Sequence, residues 1–256
     1  MQQHLNQLLH FSMKRLGYTM MAIWLFSAVS LIACNAGHDT NNTLTEQEQK
    51  DGWQLLFDGK TTNGWHLYNK GNTPSAWIAD SGALVCRRNT GRDAFEHGDF
   101  VTDREFDNFE LHFDWKISQA GNSGVFVNVV ELPDAKTAWS TGPEYQLLDS
   151  NNPDYAKPEK RAGCMFGFGP ALNEAPVKPF TEWNQSVIKQ QNGQVEFYLN
   201  GVLTVTRNFK EAAWPAAISE TNFKHFPAFG KYTKGRIGLQ DWAKGIAFRN
   251  IKIKEL

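Results

Sequence analysis

Short segments in which apolar and polar residues alternate are the feature that most constrains the fold of this chain. The clearest is FELHFDWKI (109–117), whose odd-numbered apolar residues share one side of an extended strand and whose polar residues share the other. Comparable segments recur between turn signals such as Asn200-Gly201, and no long amphipathic helix is evident. The pattern predicts an all-β fold of two antiparallel sheets, packed as a sandwich or jelly roll.

The beginning of the chain has the pattern of a bacterial export signal. A basic pair precedes an apolar run (20–33) that is short for a membrane-spanning helix. The run ends in Leu31-Ile32-Ala33-Cys34, which has the form of a lipobox. We therefore expect a lipoprotein signal peptide over residues 1–33 and lipidation of Cys34, with an ordinary signal peptide as the alternative. The protein would then be exported and lipid-anchored to the bacterial envelope, at the outer membrane, facing the periplasm or the surface.

The rest of the chain reads as a tether followed by one domain. Residues 34–50 are polar and without periodicity, which predicts a flexible tether. Residues 51–256 are enough for one sizeable core. Export allows disulfides, and Cys86 and Cys164 either pair or remain two buried thiols. The net charge of -1 gives no basic excess that would attract nucleic acid, so no nucleic-acid partner is expected.

Two neighbouring segments in the middle of the chain, 121–131 and 142–149, carry polar stripes on predicted strands whose reverse faces are apolar. The polar residues that share these faces are Asn122 and Asn128 in the first segment and Glu144 and Gln146 in the second. Such stripes are typical of a cleft that holds a polar, ring-shaped ligand, and equally of an ordinary solvent-facing sheet. The 9 Trp and 18 Phe residues fit sandwich cores and also stacking on sugars.

Six segments, in order, resemble the 3-keto-disaccharide hydrolase domain family and together cover the chain from Gly52 to its end. They are GWQLLFDGKTTNGWH (52–66), FVTDREFDNFELHFDWKIS (100–118), GNSGVFV, GPEYQLLD, TEWNQSVIKQQNGQVEFYLNGV (181–202) and GRIGLQD with FRNIKIKEL. The resemblance implies a concanavalin A-like jelly roll with a concave sugar-binding face, in a secreted protein. Two positions depart from the family pattern. Trp242 follows Gln240-Asp241 where members commonly have His, and Phe166 stands where many have Tyr.

The resemblance also implies activity on glycosides that are oxidised at C3. The C3 carbonyl acidifies the C2–H, so a base can remove that proton, the enolate expels the C1 substituent, and water adds back. This reaction needs a base, an acid for the leaving oxygen, and an electrophile for the enolate oxygen, which arginine or a divalent metal ion can supply. Carboxylates serve as base or acid once burial or neighbouring charges adjust their pKa.

The candidate catalytic residues are three carboxylates, Glu144, Asp114 and Asp241. Glu144 is the first choice as base or metal ligand, whereas a solvated stripe is the alternative for Asp114 and a turn for Asp241. A divalent metal ion is an open expectation, with Glu144, His112 and Asp241 as its candidate ligands. The candidate substrate-binding residues are Asn122, Asn128, Gln146, Gln240, Trp139, Trp242 and Arg249, several of which have core packing or strand pairing as the alternative.

Two other functions compete with the 3-keto-glycoside hydrolase or lyase. A jelly roll also serves as a non-catalytic carbohydrate-binding module, since fold does not decide function. A conventional glycoside hydrolase would need two carboxylates across the ligand, for which Glu144 and Asp114 are candidates. A serine hydrolase is rejected because Ser123 falls on the apolar face and lacks the G-x-S-x-G strand-to-helix context.

Overall fold

Thirteen β-strands form two sheets in the computed structural model, which describes residues 41–87, 91, 94–241 and 245–256. The strands are β1 (Trp53–Leu55), β2 (Trp65–Leu67), β3 (Trp77–Asp80), β4 (Ala83–Cys86), β5 (Phe100–Thr102), β6 (Phe109–Ile117), β7 (Asn122–Val129), β8 (Glu144–Leu148), β9 (Asn184–Gln191), β10 (Gln194–Leu199), β11 (Val202–Asn208), β12 (Arg236–Leu239) and β13 (Ile246–Glu255). The larger sheet has the order β11-β10-β9-β6-β13-β4-β3, with β1 also paired to β13. The smaller sheet has the order β2-β5-β12-β7-β8.

The predicted sandwich of two antiparallel sheets is confirmed. Every pairing between these strands is antiparallel. The predicted hairpin at Asn200-Gly201 joins β10 to β11, and both residues adopt the positive φ that a two-residue hairpin turn of this kind requires, 48° and 84°. The local sequence therefore predicts this turn, and the Asn200 side chain fixes it further by hydrogen bonds to Pro176, Asn184 and Gln185.

The core lies between the two sheets and determines which way their polar residues point. Phe113 of β6 meets Tyr145 of β8 edge to face, with ring centroids 5.7 Å apart. The indole of Trp115 donates a hydrogen bond to Ser186 Oγ at 2.9 Å, and Tyr145 Oη lies 2.9 Å from the same oxygen. Because side chains alternate along a strand, the residues next to these in sequence point out of opposite faces of the sandwich.

Helical structure among the described residues is short. It comprises α1 (Glu46–Lys50), α2 (Ala213–Ser219) and 3₁₀ turns at Ala138–Ser140, Pro153–Ala156, Pro158–Lys160 and Asn222–His225. No helix in this described part of the chain is long and apolar enough to cross a membrane. The predicted signal peptide and Cys34 lie outside the described residues.

Residues 41–50 differ from the predicted flexible tether, because they pack on the domain. Asn42 is 8% exposed, and its backbone and side chain exchange hydrogen bonds with Asn250 at 2.7 and 2.8 Å. Its amide also donates to the carbonyl of Gly82 at 2.8 Å. Thr45 forms a capping box with Glu48 at the start of α1, and Glu48 pairs with Lys252. The polar composition of this segment did not predict its packing on the domain, because side-chain amides and not apolar residues make the contacts with the domain.

Replacing Asn42 with alanine is expected to lower the free energy of unfolding by about 2 kcal/mol, because buried partners of its side chain on Asn250 and Gly82 lose their hydrogen bonds. Urea denaturation measures the change. Asn63→Ala, at an exposed position in a turn, is the matched control and should leave the midpoint unchanged. Equal midpoints for the two variants would show that this segment does not stabilise the domain.

The two cysteines of the domain are free and buried, so the disulfide alternative is wrong and the alternative of two buried thiols holds. Cys86 lies on β4, where its thiol donates to Asp241 Oδ1 at 3.0 Å. Cys164 donates to the carbonyl of Pro158 at 3.4 Å.

Candidate active site

A cleft of about 810 Å³ opens on the outer face of the smaller sheet. Its floor is polar and comes from three neighbouring strands: Asn122 from β7, Glu144 and Gln146 from β8, and Gln240 immediately after β12. Gln146 donates a hydrogen bond to Asn122 Oδ1 at 2.7 Å, which holds the two amides together. The cleft therefore brings together three of the four stripe residues, Asn122, Glu144 and Gln146, and adds Gln240, which was proposed separately as a substrate-binding residue.

Loops build the walls of the cleft. The rings of Trp139, Phe166, Phe223 and Phe226 line one side. The rim includes Asp154, Lys160, Glu220 and Asn222, and Lys160 donates to Asp154 at 2.8 Å. Trp139 comes from the 3₁₀ turn before β8, and the other wall and rim side chains come from the segment after β8 and from the region around α2 and its following 3₁₀ turn. Long loops in compact domains often carry function, and here they enclose the polar floor.

Glu144 is the most chemically distinctive group in the cleft. It is only 6% exposed, and no described residue donates a hydrogen bond to its carboxyl group, although that group borders the cleft. Burial raises the pKa of Glu144 well above its usual value, and the nearby charge of Asp99 raises it further. A buried carboxyl group with a raised pKa is a stronger base than an ordinary glutamate once it is ionised, which suits it to proton transfer.

Gly124 provides the space that the Glu144 carboxyl group occupies. It lies on β7, facing β8 opposite Gln146, and a Cβ atom built on it would be 2.1 Å from Glu144 Oε1. Its φ is not positive, so the backbone does not need glycine there. The glycine is required for close approach alone, a role that glycine inside a strand often has.

A second depression, of about 520 Å³, adjoins the cleft and shares Trp139 and Gln240 with it. Asp99 and Asp241 line it. Asp99 accepts hydrogen bonds from the backbone N–H groups of Ala138 and Asp241, at 3.1 and 3.3 Å. Burial outweighs these bonds and raises the pKa of Asp99 to about 6, and the charge of Asp241 adds to the rise. The depression thus places a second titrating carboxyl group close to Glu144.

Asp241 is held by three donors. Cys86 Sγ lies 3.0 Å from its Oδ1, while His97 Nδ1 and the backbone N–H of Gly98 lie 2.6 and 2.9 Å from its Oδ2. Because both carboxylate oxygens already accept hydrogen bonds, Asp241 is placed to organise its neighbours rather than to transfer a proton to substrate. This differs from the catalytic role expected for it.

The predicted metal ligands are not brought together. His112 projects from the larger sheet, 2.7 Å from Glu110, and packs on the ring of Trp53. The described residues instead gather Cys86, His97 and Asp241, whose ligand atoms lie within 4.8 Å of one another. Thiolate, imidazole and carboxylate form a donor set that fits Zn²⁺ or a similar ion. Burial raises the pKa of the Cys86 thiol, so metal binding there would have to displace its proton.

Asp114 and Arg249 do not belong to the cleft. Asp114 accepts hydrogen bonds from Arg249 Nε at 3.2 Å and from Asn250 Nδ2 at 2.8 Å, on the outer face of the larger sheet. Arg249 also lies over the ring of Trp183, 4.2 Å from its centroid. Since Phe113 and Tyr145 meet in the core, Asp114 and Glu144 point out of opposite faces of the sandwich. The predicted pairing of these two carboxylates in one site is wrong.

Simple alternation also predicts the wrong direction for the Asn128 side chain. Its side chain is buried and exchanges hydrogen bonds with Gln190 of the larger sheet, at 2.7 and 3.0 Å. Its φ is 59°, and the pairing of β7 with β12 shifts register between Arg236 and Gly238. This irregularity turns the Asn128 amide into the interior. Trp242 lies outside the described residues.

Several residues of the site were not proposed from the sequence. Asp99, Lys160, Phe223 and Phe226 reach it from turns or loops, where no periodic pattern indicates direction. Gly124 is the exception, because an isolated glycine within an alternating strand is a recognisable signal for close approach.

Comparison with known proteins identifies the family of this chain. Residues 52–254 match the family described as the 3-keto-alpha-glucoside-1,2-lyase-like domain. A 3-keto-disaccharide hydrolase of Bacteroides thetaiotaomicron is 32% identical over an alignment of 235 residues that covers 80% of this chain and 79% of that protein. A crystal structure of a candidate glycosyl hydrolase from Parabacteroides distasonis has a TM-score of 0.75 at 32% identity, covering 84% of this chain and 99% of that one. A second structure from that organism has a TM-score of 0.60 at 26% identity, with coverages of 80% and 99%. The predicted resemblance is confirmed, and the chain belongs to the 3-keto-α-glucoside-1,2-lyase-like domain family.

Proposed function

We propose that the protein cleaves 3-keto-glycosides by removing the C2 proton, eliminating the C1 substituent and adding water. The observation that carries the proposal is the buried Glu144 carboxyl group, which borders the cleft with the polar floor. The pKa of this group is raised, and no described residue donates a hydrogen bond to it. Membership of the family, and a relative named as a 3-keto-disaccharide hydrolase, support a hydrolase-type enzyme that acts on carbohydrate.

Glu144 acts as the base in this proposal. Its carboxylate takes the proton from C2, and the electron pair of that C–H bond delocalises onto the C3 oxygen as an enolate. When the enolate collapses, the C1–O bond breaks and its electron pair stays on the leaving oxygen. The raised pKa then suits the protonated Glu144 to return its proton to that oxygen. Water finally adds across the C1=C2 bond, with its hydroxyl on C1 and its proton on C2.

The neighbouring amides orient the sugar. Asn122, Gln146 and Gln240 line the floor beside Glu144 and offer both donors and acceptors to ring hydroxyl groups. Such positioning accounts for much of the rate enhancement when the reacting proton must lie within reach of the base. A divalent ion bound by Cys86, His97 and Asp241 would supply positive charge for the developing enolate oxygen.

A conventional glycosidase that uses Glu144 with Asp114 is disfavoured, because the two side chains leave opposite faces of the sandwich. The deciding experiment incubates the purified protein with a disaccharide and with its 3-keto form, each with and without a chelator. Release of monosaccharide from the keto form alone is the expected result. Release from the unoxidised sugar would instead indicate a conventional glycosidase, and binding without turnover would indicate a carbohydrate-binding module.

Asp99→Asn is expected to move the acidic limb of the kcat/KM pH profile to lower pH. The charge of Asp99 raises the pKa of Glu144, so its removal lets Glu144 ionise, and act as a base, at lower pH. The pKa that this limb reports should stay above the ordinary range of glutamate, because the burial of Glu144 is unchanged. Asp103→Asn, at an exposed carboxylate paired with His66, is the control. An unmoved limb in Asp99→Asn would contradict the proposed coupling.

We also propose that the protein is exported and lipid-anchored through Cys34 to the bacterial envelope, as the sequence Leu31-Ile32-Ala33-Cys34 favours. Metabolic labelling with palmitate tests this. The wild-type protein should be labelled and Cys34→Ala should not, whereas equal labelling of both would contradict the anchor.

A further inference from the structure

We infer that the aromatic side of the cleft is the subsite for the leaving group and that it favours an aryl aglycone over a second sugar. The inference rests on the proposed function for the direction in which the leaving group projects. The binding preference itself can be measured without any catalytic step.

The aromatic wall is supported from behind. Phe223 stacks on Phe229 with ring centroids 4.0 Å apart, and on Phe168 at 5.7 Å. Phe166 and Trp139 meet the edge or face of Phe223 at 6.4 Å each, and Trp139 contacts Phe226 at 4.6 Å. Rings packed in this way keep their positions, so the wall is a preformed apolar surface rather than a set of loose side chains.

The rings that border the cleft remain partly exposed. Trp139, Phe166 and Phe226 are half-buried, whereas Phe223 is buried behind them. The exposed ring surface therefore belongs to three residues that converge on one side of the cleft. An apolar group placed against them would remove apolar area from water on both surfaces.

Polar groups are segregated away from this wall. Asn122, Glu144, Gln146 and Gln240 form the floor. At the rim, Lys160 is already paired with Asp154, while Glu220 and Asn222 are exposed to solvent. A sugar ring on the floor can satisfy its hydroxyl groups, but a second sugar against the wall would turn hydroxyl groups towards rings whose only polar atom is the indole nitrogen of Trp139.

Phe166 contributes to this preference for an aryl group over a sugar. It is the part of the wall that borders the floor, and its backbone N–H donates to the carbonyl of Glu144 at 3.0 Å. Because Tyr145 and Met165 form an antiparallel bridge, Phe166 lies directly across from Glu144, so its ring is on the same face as the base and offers no hydroxyl group there. Phe166→Tyr adds one polar atom at this point and changes nothing else in the side chain.

The test measures binding of unoxidised glucosides to the full chain by isothermal titration calorimetry. The probes are methyl glucoside, phenyl glucoside and a glucose disaccharide, each as the α and β anomer. Phenyl glucoside should bind about tenfold more tightly than methyl glucoside, from burial of one further aromatic ring. It should also bind more tightly than the disaccharide. Equal affinity for the methyl and phenyl compounds, or tighter binding of the disaccharide, would overturn the inference.

Two variants locate the effect. Phe226→Ala should remove most of the phenyl preference while methyl glucoside binds as before. Phe180→Ala, at an exposed phenylalanine outside the cleft, is its matched control and should keep the preference. If Phe226→Ala does not fold, Phe166→Tyr is the deciding variant. It should reduce the ratio of the affinity for phenyl glucoside to the affinity for the disaccharide. An unchanged affinity ratio would overturn the assignment. Turnover does not enter these measurements, so a failure of the proposed reaction and a failure of this subsite give different results.

Discussion

Glu144→Gln is expected to lower kcat/KM on a 3-keto-glycoside by about 10³-fold or more, because the amide cannot accept the C2 proton. The substitution keeps the size and shape of the side chain. Affinity for an unoxidised sugar should therefore change little, and the loss should fall on kcat. The folded state should be no less stable at pH 8, since the variant no longer has to ionise a carboxyl group that is only 6% exposed. Steady-state kinetics and urea denaturation check these points.

Asp114→Asn is the matched control, because it makes the same chemical change on the opposite face of the sandwich. It should keep kcat/KM within about twofold when assayed under conditions where circular dichroism confirms folding. The variant should be less stable than the wild type, since Asp114 accepts hydrogen bonds from Arg249 and Asn250, but this loss does not affect an assay of the folded protein. If Asp114→Asn abolished turnover and Glu144→Gln did not, the active site would have been assigned to the wrong sheet.

The strands were predictable because alternation is a local property. The segment 109–117 became β6 with the predicted face buried, and the hairpin at Asn200-Gly201 formed as its turn residues indicate. Asn128 shows the limit of the rule. A register shift beside it and a φ of 59° break the two-residue period, and no residue type announced that break.

The site was predictable only within a single sheet. Alternation correctly placed Glu144 and Gln146 on one face of β8, and the neighbouring strand brought Asn122 beside them. It could not tell which sheet would carry Asp114, since a strand's pattern contains no information about the partner sheet across the core. Asp99 and the aromatic wall depend on turns and loops, whose paths follow from tertiary packing.

Burial and the lack of a hydrogen-bond donor among the described residues act together on Glu144. A carboxyl group at the surface would have an ordinary pKa and would be a weak base for a carbon acid. A fully paired carboxylate would be stable but would have its oxygens occupied. A buried carboxyl group that no described residue pairs costs stability, and the fold tolerates the cost at one position where β7 has no side chain to compete for the space.

Gly124→Ala is therefore expected to lower kcat by about 10²-fold, because a displacement of roughly 1 Å in a reacting group can cost that much. The added Cβ would lie 2.1 Å from Glu144 Oε1, so the carboxyl group has to move. The affected atoms, Oε1, Cδ and Cγ of Glu144, all belong to one side chain and none to the backbone, and the backbone accepts alanine there, so the domain should still fold. KM should change less than kcat, since the floor amides are not displaced.

A double-mutant cycle separates this positioning role from general damage to the strand. In the Glu144→Ala background, adding Gly124→Ala should cause no further loss of activity, because the carboxyl group that it displaces is absent. The same addition should leave sugar affinity unchanged, because Asn122 and Gln146 remain paired. Additive losses in the cycle would show that Gly124 supports β7 rather than the base. Strict non-additivity would identify the glycine as the residue that allows a buried glutamate to face the cleft.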